Sequence, residues 1–139
     1  MRLMLMALAA TLSLASFGHA PSYASNCGDA STQAEMNACA AAAYETADKE
    51  LNVFYFQIQQ RLAGNTEALG LLRDAQRAWI RFRDAECAFE SSGVAGGSAY
   101  PMILSSCRAR LTDSRVEDFR YYLDCEEGDL SCPLPPAMK

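Results

Sequence analysis

The chain has 139 residues, 50% hydrophobic and 21% charged. That is enough apolar material for one folded domain and too much for a disordered or collagen-like chain. A net charge of −5 and an isoelectric point of about 4.8 argue against a general nucleic-acid binder and leave room for a cationic partner.

An export signal opens the chain. Arg2 supplies a minimal positive start, and Leu3 to Phe17 is an apolar run broken only by Thr11, Ser13 and Ser16. The run is shorter than the ~20 apolar residues that cross a bilayer. Ser22-Tyr23-Ala24 fits the small-x-small rule and predicts cleavage after Ala24, with Ala20 as the rival position. Ala24-Ser25-Asn26 before Cys27 is a poor lipoprotein signal, so the expectation is a periplasmic or secreted protein with no stable membrane anchor after cleavage. Removing 24 of 139 residues leaves 115 and deletes Arg2, which moves the charge from −5 to −6. It also deletes His19, the only histidine. A mature chain without histidine builds no Ser-His-Asp triad, no Cys-His dyad and no histidine metal ligand.

Six cysteines remain: Cys27, Cys39, Cys87, Cys107, Cys125 and Cys132. An even count in an oxidising compartment reads as three disulfides. Of the 15 possible pairings, sequence proximity favours Cys27–Cys39, Cys87–Cys107 and Cys125–Cys132. No C-x-x-C occurs, so neither a zinc knuckle nor a redox pair is indicated; no metal, cofactor or catalytic residue is expected.

The body predicts an all-α fold: a small three-helix antiparallel bundle stapled by disulfides, with no sheet. Thr32 and Glu35 form a capping box. Met36, Ala40, Ala43, Ala47, Leu51, Phe54, Ile58 and Leu62 then recur at helical spacing. Gly64-Asn65 stops that helix and Thr66 caps the next, whose stripe is Leu69, Leu72, Ala75, Trp79 and Phe82. Ser91 to Gly97 is a loop by composition. Ser98 caps a third helix that tolerates Pro101 in its first turn and carries Ile103, Leu104, Cys107, Leu111, Phe119, Tyr122 and Leu123. The predicted organisation is a signal peptide at 1–24, a helical domain at 25–124, and a stapled acidic and Pro-rich tail at 125–139. Helix order gathers Cys27, Cys39, Cys87 and Cys107 at the end bearing the Gly-rich loop, and predicts that the opposite end, at Gly64-Asn65, is not stiffened.

The segment Cys27-x-x-Ala30-Ser31-Thr32-Gln33-Ala34-Glu35-Met36-Asn37-x-Cys39-Ala40 resembles the opening of the LprI-type lysozyme inhibitor domain. Tyr44, Ala47-Asp48, Leu51-Asn52, Ala75 to Trp79, Phe82 to Cys87, Gly96-Gly97-Ser98 and Cys107 to Arg115 extend the likeness to about Leu123. The resemblance implies an exported helical domain that inhibits c-type lysozyme and supports the local disulfide pairing. The chain lacks that family's lipobox and adds the Cys125, Cys132 pair.

The expected partner is therefore c-type lysozyme or another cationic protein, met through Gly93, Gly96, Gly97 and Ser98. Trp79 is expected in the core. Among Arg77, Arg81 and Arg83, Asp74 is expected to pair with Arg77, and Arg83 with Glu86 or with nearby acids at the cysteine end. Arg115 is expected half-buried, paired with Asp84 or Asp48 on another helix. Asp48 and Asn52, one turn apart, read as a capping or pairing couple, and Glu126, Glu127 and Asp129 as a solvated tail. Two other readings are open. A wall-glycan hydrolase requires two carboxyl groups facing one another across a pocket. A self-assembling structural bundle requires a sizeable exposed apolar patch.

Overall fold

The computed structural model describes residues 27–126 and 128–135. The predicted signal peptide with its cleavage positions and Glu127 lie outside the described residues. A short 3-10 turn at Cys27–Asp29 leads into α1 (Gln33–Arg61), α2 (Thr66–Glu90) and α3 (Tyr100–Leu123), with a second 3-10 turn at Ser92–Val94 between the last two. The described residues contain three long helices and no strand.

Thr32 begins α1 with a full capping box. Its hydroxyl accepts from the Glu35 N–H at 3.2 Å, while the Glu35 carboxylate accepts from the N–H groups of Thr32 (2.9 Å) and Ser31 (3.0 Å). Gly64, at φ +90°, reverses the chain into α2. There Asn65 is the cap, its side-chain oxygen accepting from the Ala68 N–H at 3.0 Å, so Thr66 is the first helical residue rather than the cap. Ser98 does not cap α3 either. The cap is Ala99, without a side-chain bond, because the Ser98 carbonyl is held by Asn37 and the Tyr100 N–H already reaches Gly97 O.

The closest pairing is between α1 and α3, which are not consecutive. They run parallel: Asn37 bonds Ser98 near their starts, Tyr55 packs on Phe119 further along, and Arg61 reaches Leu123 O near their ends. Small buried residues permit this approach, Ala40 and Ala47 on α1 and Ala109 and Thr112 on α3. Toward the far end the contact widens into a core of Leu51, Ile58, Leu62, Val116 and Phe119. The α3 stripe read from sequence misses Ala109 and Thr112, because alanine and threonine carry little hydrophobic signal, and it also passes over the buried Val116.

α2 runs antiparallel and stands further from α1, with Trp79, Leu69 and Leu72 packed against the core. Phe82, expected on the inner stripe, is 55% exposed; Gln76, Arg83 and Cys87 are the buried positions instead. The disulfides are Cys27–Cys39, Cys87–Cys107 and Cys125–Cys132. Each closes a short loop and is of the kind that contributes about 2–4 kcal/mol.

The far end is also held, contrary to the sequence expectation. The tail stapled by Cys125–Cys132 folds back, Leu134 enters the core at 6% exposure, and Arg61 donates to Pro135 O at 2.7 Å. Asp129 is organised rather than merely solvated, accepting from the Ser131 N–H at 2.9 Å and from its hydroxyl at 2.7 Å. Among the described residues no helix is long and apolar enough to cross a membrane.

Two outcomes are expected. Phe119→Ala removes a fully buried ring and should cost about 3–5 kcal/mol, read as a lowered urea midpoint. The Glu35 carboxyl is held below the ordinary glutamate range, first by the Thr32 N–H and then by that of Ser31. A lowered folded-state pKa gives stability that is complete above the unfolded-state value and fades as pH falls through the folded-state one. Amide protection at Ser31 and Thr32 should therefore fall on acidification in the native protein and be insensitive to pH in Glu35→Gln. Protection in the native protein that ignored acid would contradict this assignment.

Candidate functional site

Three chain segments converge at the end bearing the Gly-rich loop: the start of α1, the end of α2 and the start of α3. Cys27–Cys39 ties the leading turn to α1, and Cys87–Cys107 ties α2 to α3. The loop between α2 and α3 is internally bonded. Ser91 is fully buried, and its hydroxyl donates to Cys87 O at 2.7 Å, closing α2. Val94 N–H donates to Ser91 O, Ala95 N–H to Ser92 O and Gly97 N–H to Val94 O, at 3.1, 3.2 and 3.0 Å. Gly96 takes φ +76°, a left-handed conformation that side chains disfavour. A Cβ on Gly97 would meet Val94 O at 3.2 Å.

The loop is also anchored from α1. Asn37 donates to Ser98 O at 3.0 Å and is itself oriented by Gln33, which donates to its side-chain oxygen at 2.9 Å. No role for Asn37 was read from sequence. An asparagine inside a helix, where it is a poor former, was the available signal. Gly93, Gly96, Gly97 and Ser98 thus lie together on one exposed loop with fixed backbone. The exposed acids Asp29, Glu35, Glu86 and Glu90 lie on the segments around it, with Glu90 paired to Arg110 at 2.6 Å.

About two turns below, a buried arginine on α2 centres a cluster to which all three helices contribute. Arg83 lies with its guanidinium 5.3 Å from the centre of the Tyr44 ring and 5.2 Å from that of Trp79. Its Nη2 and Nε donate to Asp84 at 3.0 and 3.1 Å, and its Nη1 lies 3.7 Å from Asp48. Arg108 of α3 completes the cluster, 3.4 Å from Asp84. Arg83 thus pairs with Asp84 and Asp48, not with Glu86. Asp74 lies beside Arg73 at 3.8 Å, not Arg77. Trp79 is half-buried, packed against the core cluster and lying beneath the Arg83 guanidinium. Asn52 donates to the carbonyl and carboxylate of Asp48 at 2.8 and 3.2 Å, which orients that acid toward the cluster.

Arg115 does not reach Asp84 or Asp48. It sits two turns beyond Arg108, level with Gln76, to which its Nε donates at 3.3 Å; its Nη1 donates to Asp118 at 3.2 Å, and its guanidinium lies over Phe119. Near it an apolar groove of about 410 Å³ runs between α1 and α2, walled by Ile58, Leu62, Leu71, Leu72 and Tyr122 and closed by Leu134. Grooves along the α1–α3 seam carry Glu50, Asp113 and Glu117; Glu50 and Glu117 are both bound by Arg120. Among the described residues no three histidine, cysteine or acidic side chains are grouped to hold a metal ion.

The fold is thus a small helical body with a disulfide near each end that displays one internally bonded loop. Residues 24–119 match the family described as lysozyme inhibitor LprI, and the chain belongs to that family. At family level it is a lysozyme-inhibitor-like domain. It is similar to the uncharacterized protein R02472 of Rhizobium meliloti (strain 1021), 32% identical over 114 residues, covering 74% of this chain and 82% of that protein. It is also similar to a DUF1311 family protein from Pseudomonas putida KT2440, solved by crystallography at 1.85 Å resolution. That likeness has a TM-score of 0.59 at 29% identity, covering 64% of this chain and 91% of the other.

Arg83→Lys keeps the charge but loses the fork geometry and the flat stacking surface. It should lower stability by about 1.5–3 kcal/mol, the worth of charge-assisted hydrogen bonds. A urea titration reads this directly, and an unchanged midpoint would remove the cluster from the list of stabilising contacts.

Proposed function

We propose that the protein is exported and inhibits a c-type lysozyme by stoichiometric contact, placing the loop Gly93–Ser98 against the enzyme. The observation that carries this reading is the loop itself, exposed yet held by internal bonds, by Asn37 and by two disulfides at its base. A loop already fixed in shape loses little conformational entropy on binding. Lysozymes of this type are cationic and cut glycan in a cleft, so a slender loop of small residues suits their geometry. A mature charge of −6, the acids around the loop among it, favours fast encounter and makes the contact salt-sensitive. Family membership supports a protein target of this kind.

The test is titration of the exported, oxidised protein into a lysozyme turnover assay at physiological salt. Saturable inhibition near one equivalent is expected. Gly93 is the clean position for a probe, because a side chain there meets nothing within 4 Å and its backbone is not left-handed. Gly93→Arg should weaken inhibition at least about tenfold, roughly 1.4 kcal/mol, with helicity unchanged. No inhibition at large excess would overturn the reading.

A further inference from the structure

One flank of α2 carries an apolar stripe that the described residues leave largely uncovered; its first members, Ala68, Leu71 and Ala75, border the groove between α1 and α2. Leu71, Phe82 and Phe89 are 67%, 55% and 76% exposed. Ala75, Ala78 and Ala85 lie between them, also exposed, and half-buried Ala68 leads the series. The positions 68, 71, 75, 78, 82, 85 and 89 alternate steps of three and four over three heptads. That is the spacing of a coiled-coil seam. The most buried residues of the same helix are others, Gln76, Arg83 and Cys87; of the stripe only Ala68 packs against the core, and Leu71, Phe82 and Phe89 keep most of their surface free.

We propose that this face pairs with the same face of a second copy, α2 against α2 in antiparallel orientation. The pattern is self-complementary in that orientation. With the two-fold axis passing between Gln76 and Arg77, Leu71 meets Phe82 of the other copy, Ala75 meets Ala78, and Ala68 meets Ala85. Phe89 then lies over Gly64, at the turn before α2. The central alanine layers permit close approach of the two backbones, and the large residues interlock on either side. The charges flanking the stripe complete the match. Asp74 and Arg81 occupy the same flanking position one heptad apart, and the antiparallel register sets each Asp74 opposite an Arg81 twice over. Asp74 is free to turn, since its contact with Arg73 is long and both side chains are exposed. A parallel pair places Asp74 opposite Trp79 instead and forgoes this exchange.

The experiment is sedimentation equilibrium of the exported, oxidised protein over a wide concentration range, with far-UV circular dichroism on each variant. The native protein should pass from one chain mass to two as concentration rises. Phe82→Asp, at a site the fold leaves exposed, should weaken association at least about a hundredfold with helicity unchanged. Asp74→Arg should weaken it about tenfold, and the exchange Asp74→Arg with Arg81→Asp should restore it. A native protein that stays monomeric throughout would overturn the proposal, as would a dimer indifferent to Phe82→Asp. A dimer broken by Phe82→Asp but indifferent to Asp74→Arg would overturn the antiparallel register. A monomer whose lysozyme inhibition is abolished by Phe82→Asp would also overturn self-pairing and assign the face to a foreign partner.

Discussion

Everything else in the molecule is arranged around the parallel contact of α1 with α3. Ala40 and Ala47 on one side and Ala109 and Thr112 on the other let the two backbones come together at the loop end. The same seam then opens to admit Leu51, Ile58, Val116 and Phe119. Two parallel helices in one chain require a long return, and α2 is that return. It cannot lie equally close to both partners, since Tyr44, Trp79 and the Arg83 guanidinium occupy the space between α2 and α1. The body is therefore a tight pair with a third helix held at a distance.

A helix held at a distance needs other means of attachment. α2 has three: the Cys87–Cys107 bond, the Arg83 cluster and the apolar contacts of Leu69, Leu72 and Trp79. The cluster orients as much as it stabilises. Burying one charge between two rings has a desolvation cost that two half-exposed acids offset in part, and its geometric return is a fixed rotation of α2 about its own axis. That rotation turns the side bearing Leu71, Phe82 and Phe89 outward.

The helices and their order were legible in the residues because capping signals and apolar periodicity act locally: Thr32 with Glu35, Gly64-Asn65, and the run of small residues after Glu90. The local disulfide pairing was favoured by proximity and resemblance for a related reason, since each bond closes within one turn of the bundle. Which helices would touch most closely was not legible. That outcome depends on alanines, which a hydrophobic stripe undervalues, and it moved Phe82 outward and Arg83 inward. Ion-pair partners failed in the same way. Asp48 and Asp84 pair with Arg83 and not with Arg115, because which arginine takes them depends on the relative height of the helices. Arg115 lost them by two turns. The tail was misjudged because the sequence shows three prolines and a staple but not the hollow that Leu134 fills.

The two termini of the described chain leave from opposite ends of the bundle. Cys27 is bonded to Cys39 in the first half of α1, toward the end that bears the Gly-rich loop, whereas Pro135 is held by Arg61 at the far end. The molecule consequently has a polarity toward any surface that carries it. Held by its leading segment, it faces the loop toward the support; held by its trailing segment, it points the loop away. The Cys27 sulfur is bonded to Cys39, so it offers no thiol for a lipid thioether, and the first of these orientations would need an attachment other than at that atom.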